Sequence, residues 1–174
     1  MNQHHVFIAT SLDGYIADAD GGVGFLDTFP MPEGDDMGYY AFMAQVDALL
    51  MGRKSFETVL SFGVEWPYAK PVFVWSQTLD QIPEELAGKA ELVRGTLEEV
   101  EALIQAKGYQ RFYLDGGQVI QSFLRADKVG NIDHHHHSRF NRRWGPTLWR
   151  FDKSHQLSLC PFQNLCEWIG PTGF

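Results

Sequence analysis

Short apolar runs alternate with helical patterns along the first three quarters of the chain. Five runs have the length and apolar composition of buried strands, and they cover residues 6–10, 48–51, 71–75, 91–93 and 111–114. Four segments between or after them have helical spacing, namely 39–46, 55–60, 96–107 and 118–126. This alternation continues to about Asp127 and predicts an α/β fold, with a mostly parallel central sheet and helices on its faces.

The third helical segment has the clearest boundaries. Thr96 with Glu99 three residues later is typical of a capping box, and Gly108 supplies a stop. The predicted apolar face consists of Leu97, Val100, Leu103 and Ile104. We therefore expect one side of this helix to pack on the sheet.

Composition narrows the class of protein. The chain has 174 residues, of which 44% are hydrophobic, so it can form a core of ordinary size. It has no apolar run of membrane-spanning length and no export pattern at its N-terminus, and we expect a cytoplasmic protein. Its only cysteines, Cys160 and Cys166, form neither a disulfide framework nor a zinc deaminase motif. A net charge of -8 argues against nucleic-acid or membrane partners, so a phosphate ligand needs a local site.

Two junctions between a strand and a helix have the composition of such local anion sites. Gly52 to Ser55 combines a flexible turn with the cations Arg53 and Lys54, and Asp115-Gly116-Gly117 places paired glycines before the fourth helix. Amide groups at a helix start point toward an anion, and glycine lets the ligand approach the backbone. Neither junction matches a Walker loop or a dinucleotide fingerprint. Plain chain turns with solvated charges are the alternative.

Three motifs in order resemble those of a known superfamily. They are Ser11-Leu12-Asp13-Gly14-Tyr15-Ile16-Ala17, Met51-Gly52-Arg53-Lys54-Ser55-Phe56-Glu57 and Asp115-Gly116-Gly117-Gln118-Val119-Ile120. The series resembles the dihydrofolate-reductase-like superfamily, closest to the reductase domain of riboflavin-biosynthesis deaminase-reductases and its stand-alone relatives. The resemblance covers about residues 5 to 131. It implies a three-layer fold and an enzyme that transfers hydride from NADPH to a small heterocyclic or ribosylamino-pyrimidine substrate.

The resemblance also implies the cofactor contacts. Arg53 would be the best candidate for the 2'-phosphate, because a planar guanidinium suits phosphate. Ala9 and Thr10 would lie beside the nicotinamide, below a closing loop that contains Asp13 and Gly14. The remaining implied contacts are Gly52, Lys54 and Ser55 on the first turn, Ser76 and Gln77 on the adenosine side, and Gly116, Gly117, Gln118, Val119 and Ile120 on the second turn.

Candidate chemistry on the substrate side rests on carboxylates and aromatic rings. Asp13 and Asp115 are the candidates for catalysis, and Asp36 is a candidate for substrate binding. The aromatic candidates for substrate binding are Tyr39, Tyr40 and Phe42. Turn or cap roles for the carboxylates and core roles for the rings are the alternatives. The acids here precede the first helix, unlike the acid on the first helix of dihydrofolate reductases, which argues against a folate substrate.

The segment from Ile132 to Phe174 does not resemble that superfamily, in which an alternating strand and a closing hairpin follow the fourth helix. It contains no Val, Ala, Met or Tyr, but holds three of the five Trp and five of the seven His. It carries 5 basic and 3 acidic residues, whereas residues 1–131 carry 9 and 19. We therefore divide the chain into a reductase domain, 1–131, and an aberrant C-terminal segment, 132–174. Because this segment does not supply the closing strands of the superfamily, the sheet of the reductase domain would have exposed edges.

A change of reading frame is our hypothesis for this segment. When the DNA is read one nucleotide later, each His codon that is followed by another His codon becomes a codon for Ile or Thr. The stretch from Asp133 to Ser138 then gives five consecutive Ile or Thr positions, which favour a strand. The stretch 142–150 then permits Gly-Gly-Gly-x-Pro-Leu-Phe-Gly, as in the superfamily. A metal site at His134 to His137 is the competing interpretation, but adjacent strand residues point to opposite faces. We expect no metal.

Three hypotheses for function remain. The first is an NADPH-dependent reductase, in which a homodimer is possible. The second is a catalytically impaired nucleotide-binding protein that has lost its closing strands. The third is a different α/β enzyme whose two turns bind a mononucleotide.

Overall fold

The computed structural model describes residues 4–11, 15–18, 21–24, 26 and 35–137, and for 134–137 only the backbone. The elements are β1 (His4–Ser11), α1 (Tyr39–Met43), β2 (Ala48–Gly52), α2 (Arg53–Ser61), β3 (Val72–Trp75), a short 3-10 helix (Glu84–Leu86), β4 (Ala90–Val93), α3 (Leu97–Ala106), β5 (Phe112–Asp115), α4 (Gly117–Arg125) and β6 (Val129–His137). The predicted strands and helices up to α4 are confirmed, with shifts of a few residues at their ends.

The six strands form one sheet in the order β4-β3-β2-β5-β1-β6, and all neighbouring strands are parallel. The carboxyl ends of the strands therefore meet at one edge, which we call the carboxyl edge. In β2, Met51 is paired with Asp115 of β5 and Gly52 with Trp75 of β3. The turns after β2, β3 and β5 consequently start side by side.

Two hydrophobic clusters give the molecule three layers. Alternate strand residues such as Leu50 and Leu114 pack with α3 and α4 on one face. The opposite residues, such as Leu49 and Met51, pack with α1, α2 and the 3-10 helix on the other face. Because both faces are covered, the central strands are continuous apolar runs, as expected for a parallel sheet. This arrangement confirms the predicted three-layer α/β class.

Helix α3 shows the predicted capping box. The Thr96 side chain accepts from the Glu99 backbone N–H at 3.3 Å, and the Glu99 carboxylate accepts from the Thr96 N–H at 2.8 Å. Val100 and Ile104 are fully buried, but Leu103 is 40% exposed. The prediction that Leu103 lies on the core face was wrong, because about 100° per residue places Leu103 beside the stripe centred on Val100 and Ile104.

Strand β6 is the main departure of the structure from the prediction that no strand continues after Asn131. β6 pairs with β1 from His4 with Val129 to Ser11 with His137, with one register shift between His4 and His5. Backbone pairing makes few demands on side chains, and the edge of β1 offers unpaired amide and carbonyl groups. Ile132 also packs on the core of the α3 and α4 face. The strand thus crosses the boundary expected at residue 131.

Two polar clusters tie elements together at the opposite edge of the sheet. Asp47 accepts from the backbone N–H groups of Gln110 and Arg111 and from the Arg111 guanidinium, which lowers the pKa of Asp47 to about 2. The buried His4 ring hydrogen-bonds Glu101 at 2.9 Å, and Lys128 pairs with the same carboxylate. None of the described helices has the length and apolar character needed to cross a membrane.

Candidate cofactor site

The two turns singled out by the sequence are in direct contact. Gly52 is the last residue of β2 and Gly116 directly follows the neighbouring strand β5, and each immediately precedes a helix. A Cβ atom on Gly116 would collide with the Ser55 hydroxyl oxygen and would lie 3.8 Å from the Gly52 backbone nitrogen. A Cβ atom on Gly52 would lie 3.6 Å from a methyl carbon of Val119. The starts of α2 and α4 therefore form one continuous surface at the carboxyl edge.

The amide groups at these two helix starts have no side-chain cap. Neither Gly52 nor Gly116 has a side chain, and no side-chain cap hydrogen bond is present at α2 or α4. Helix α3 differs, because Thr96 and Glu99 cap its start. An uncapped helix start keeps N–H donors and a partial positive charge available for an anion. Two such starts side by side match the two negative groups of a diphosphate.

Two cations lie at the start of α2. Arg53 and Lys54 are both exposed. The Arg53 guanidinium lies 3.7 Å from the Glu57 carboxylate one helical turn later, with both side chains about half exposed. An exposed pair of this kind contributes little free energy, so a phosphate can displace Glu57. The 2'-phosphate role that the resemblance implies for Arg53 stays a prediction.

Asp115 connects the two turns through its carboxyl group. The carboxylate accepts hydrogen bonds from the Ser55 hydroxyl and from the Gly116 backbone N–H. Burial nevertheless raises the pKa of Asp115 above its ordinary value of 3.8, because desolvation outweighs these two hydrogen bonds. The group can therefore hold a proton at a higher pH than a surface aspartate. This property suits a residue that exchanges protons at a reaction centre.

Three tyrosines lie on the same face of the sheet as Asp115. Burial is the main cause that raises the pKa of Tyr39, Tyr68 and Tyr113, and the Asp115 charge adds to it in each case. The Tyr113 hydroxyl donates to the Phe7 carbonyl at 3.1 Å. Sequence reasoning missed Tyr68, which lies in the loop before β3, because a loop has no periodicity that shows which way a ring points. Its neighbourhood, Trp66-Pro67-Tyr68, was the available signal.

The residues predicted for the substrate side lie on helix α1 and in the turn before it, but their side chains differ in burial. Asp36 accepts from the backbone N–H groups of Tyr40 and Gly38, which lowers its pKa and occupies its carboxylate in the turn before α1. Phe42 is buried between Phe7 and Tyr113, with ring centroids 5.0 Å from each. Tyr40 is 77% exposed. Tyr39 alone of the predicted rings is half-buried beside Phe7 and within reach of the Asp115 charge.

The other predicted cofactor residues fall into three groups. Ala9 and Thr10 lie near the carboxyl end of β1, with Thr10 buried. Asp13 and Gly14 lie outside the described residues. On α4, Gly117 is the first residue and Gln118 is exposed, whereas the side chains of Val119 and Ile120 are in the core. Their side chains are therefore turned away from a ligand at this edge, and the Ile120 N–H already donates to the Gly116 carbonyl at 3.0 Å.

The turn after β3 lies beside the start of α2. Ser76 is buried, and its hydroxyl oxygen accepts from the backbone N–H groups of Thr78 and Leu79 at 3.1 Å and 2.9 Å. The exposed Gln77 donates to the Gly95 carbonyl at 3.2 Å. The Ser76 side chain is therefore buried and stabilises the turn through these two hydrogen bonds.

Metal binding has no support among the side chains that the structure describes, where no group of three or more His, Cys, Asp or Glu could hold an ion. The side chains of His134 to His137 lie outside that description.

Fold and site together define a three-layer α/β protein with two uncapped helix starts on adjacent strands. No protein-family model matches the chain. The chain is 31% identical over 125 residues to the uncharacterized protein YwjB of Bacillus subtilis (strain 168), a match that covers 71% of this chain and 70% of that protein. It is 43% identical to a putative riboflavin biosynthesis protein from Shewanella sp. PV-4, with a TM-score of 0.74 over 79% of this chain and 78% of that one.

More distant structures share the fold. The diaminohydroxyphosphoribosylaminopyrimidine deaminase/5-amino-6-(5-phosphoribosylamino)uracil reductase of Thermotoga maritima has a TM-score of 0.59 at 13% identity, over 81% of this chain and 46% of that one. Dihydrofolate reductase from Enterococcus faecalis has a TM-score of 0.52 at 16% identity, over 84% of this chain and 79% of that one. The chain belongs to the same family as YwjB and the putative riboflavin biosynthesis protein, and it has the fold of dihydrofolate reductase. The resemblance inferred from the three motifs is confirmed.

Proposed function

We propose that this protein is an NADPH-dependent reductase of a small heterocyclic or ribosylamino-pyrimidine substrate. The observation that carries the proposal is the contact between the turns at Gly52 and Gly116, which joins two uncapped helix starts into one anion-binding surface. The similarity to a putative riboflavin biosynthesis protein supports the substrate class. A dihydrofolate reductase of the same fold was crystallised with NADP(H), which supports the cofactor.

The residues of the site fit this dinucleotide by their chemistry. The backbone amides at the starts of α2 and α4 would bind the diphosphate, and Arg53 with Lys54 would bind the 2'-phosphate. NADPH, when bound, supplies the hydride. A 2'-phosphate requires a cation that NADH does not need, so Arg53 favours the phosphorylated form.

The substrate side of the proposal rests on Asp115 and its tyrosine neighbours. Asp115 lies next to the proposed diphosphate turn, and its raised pKa lets the carboxyl keep a proton for transfer to the substrate. Tyr39 and Tyr68 offer aromatic faces and hydroxyl groups for a heterocycle. The chain would hold the hydride donor and the acceptor in reacting geometry.

The first test is cofactor binding. Purified protein is titrated with NADPH and with NADH while tryptophan fluorescence is followed; Trp75 lies directly beside Gly52. We expect saturable binding with a preference for NADPH. Arg53→Ala should remove most of that preference. Arg125→Ala removes an exposed arginine that hydrogen-bonds Gln121, and this variant should retain the preference. Absence of NADPH binding by the unaltered protein contradicts the proposal and favours an impaired protein.

The second test concerns the reaction. Protein and NADPH are incubated with 5-amino-6-(5-phosphoribosylamino)uracil, its dephosphorylated form, or dihydrofolate, and the loss of NADPH absorbance is measured. We expect oxidation with a ribosylamino-pyrimidine and none with dihydrofolate. NADPH binding without oxidation of any of them would identify a nucleotide-binding protein that has lost catalysis.

A further inference from the structure

A single arginine holds the turn that follows β3. Arg94 comes directly after β4, and its guanidinium donates to the backbone carbonyls of the neighbouring turn. The contacts are Nη1 to Gln77 O at 2.8 Å, Nη1 to Ser76 O at 3.5 Å, Nη2 to Leu79 O at 2.5 Å and Nη2 to Asp80 O at 3.5 Å. Four carbonyl groups of one turn therefore converge on one side chain.

Other hydrogen bonds fix the same turn from its remaining sides. The Ser76 hydroxyl oxygen accepts from the N–H groups of Thr78 and Leu79, and the Ser76 backbone N–H donates to the Val93 carbonyl at 3.2 Å. The Gly95 carbonyl accepts from the Trp75 indole at 3.0 Å and from the Gln77 amide at 3.2 Å. Residues 76–80 after β3, which we call the 76–80 turn, are thus hydrogen-bonded to Arg94 and Gly95 after β4.

The position of this unit links it to the cofactor site. Trp75 is paired with Gly52, so the 76–80 turn begins beside the first residues of α2, including Arg53. Carbonyl oxygens that faced this edge would repel a phosphate-bearing ligand. The Arg94 guanidinium instead collects these oxygens and offsets their partial negative charge with its own positive charge.

We propose that Arg94 is a positioning residue for the adenosine end of the cofactor. It shapes the 76–80 turn into the wall against which the adenosine and its 2'-phosphate bind, without itself contacting the ligand. The proposal rests on the function proposed above. The planar fork of arginine reaches carbonyls on both sides of the turn, whereas a lysine ammonium on a flexible stem does not fix the same geometry.

The experiment compares Arg94→Lys and Arg94→Ala with the unaltered protein and with Arg125→Ala as a matched loss of an exposed arginine. Dissociation constants are measured for NADPH and for adenosine 2',5'-bisphosphate, which carries the adenosine end alone. Thermal unfolding midpoints and hydrogen exchange of the Thr78 and Leu79 amides are measured on the same samples. Exchange and unfolding report the state of the turn and the fold independently of ligand binding.

For both Arg94 variants we expect a rise of roughly ten-fold in the two dissociation constants, the size associated with losing hydrogen bonds to a charged group. Exchange at Thr78 and Leu79 should become faster, while the unfolding midpoint of Arg94→Lys stays close to that of Arg125→Ala. Unchanged dissociation constants in both variants overturn the role of Arg94 and leave the proposed function intact. If the unaltered protein binds NADPH but not the bisphosphate, the role of the turn is overturned. Failure of the unaltered protein to bind either ligand overturns both proposals.

Discussion

Gly116 is the residue on which the proposed diphosphate site depends most. Its φ of +86° is one that side chains with a Cβ rarely adopt, and a Cβ there would collide with Ser55. For Gly116→Ala we expect a loss of about 2 to 4 kcal/mol in the free energy of unfolding, from backbone strain plus displacement of Ser55. NADPH binding should be lost. Urea unfolding and fluorescence titration measure the two effects.

Gly88 provides the matched control for this substitution. It also has a positive φ, +78°, but nothing lies within 4 Å of the position of its Cβ. Gly88→Ala should therefore cost about 1 kcal/mol, the backbone contribution alone, and should leave NADPH affinity unchanged. Equal losses of stability and binding in both variants would show that the contact between the two turns has no special role.

Asp115 gives the protein a pH dependence with a definite sign. Because burial raises the pKa of Asp115, the folded protein binds its proton more tightly than the unfolded chain does. The contribution to stability is fully present below about pH 4 and is lost as the pH rises through the folded pKa. The free energy of unfolding of the unaltered protein, relative to that of Asp115→Asn, should therefore decrease as the pH rises from about 4 through the folded pKa of Asp115. Urea unfolding at a series of pH values measures it.

Asp36 serves as a control of opposite sign. Hydrogen bonds from the Tyr40 and Gly38 amides lower the pKa of Asp36, so its contribution is present above an ordinary value of 3.8 and is lost as the pH falls through the folded pKa. Relative to Asp36→Asn, the unaltered protein should lose stability toward acid. The same pH trend in both comparisons would contradict the burial of the Asp115 carboxyl.

At the scale of elements, the helix starts at the carboxyl edge are of two kinds, those with a side-chain cap and those without one. α3 begins with a capping box made by the side chains of Thr96 and Glu99, whereas α2 and α4 have glycine at the N-cap and no side-chain cap on their amides. A capped helix start contributes stability, and an open one contributes a binding surface. The difference follows from the N-cap residue, which is Thr96 in α3 and glycine, Gly52 or Gly116, in α2 and α4.

Thr96→Ala tests the structural half of this division. Loss of the capping box should lower the free energy of unfolding by about 1 kcal/mol, because the N–H of Glu99 loses its side-chain acceptor. Urea unfolding gives the value. Thr78→Ala is the control, since at Thr78 only the backbone N–H takes part in the hydrogen bond to Ser76. A Thr96→Ala protein as stable as the control would show that the box contributes nothing.

At the scale of the whole molecule, the segment after α4 differs in composition from the rest of the chain. β6 pairs with β1 even though the composition changes at about residue 131. We predict that the coding DNA is open in the next reading frame from about Gly130 and encodes an Ile- and Thr-rich strand followed by a glycine-rich turn. Nucleotide sequencing decides this, and a stop codon early in that frame would refute it. A protein made in that frame should unfold at higher urea concentration, because its sheet would gain its closing strands.

Residue patterns alone determined the strands β1 to β5, the four helices, the capping box and the two glycine turns, because these depend on periodicity and on local backbone preferences. The tertiary structure decided which turns meet. It placed β5 beside β2, which brought Asp115 against Ser55, and it turned Arg94 onto the carbonyls of the 76–80 turn. It also added β6, because strand pairing satisfies backbone groups whatever the side chains are. Contacts between residues far apart in sequence follow from strand order, which no local pattern records.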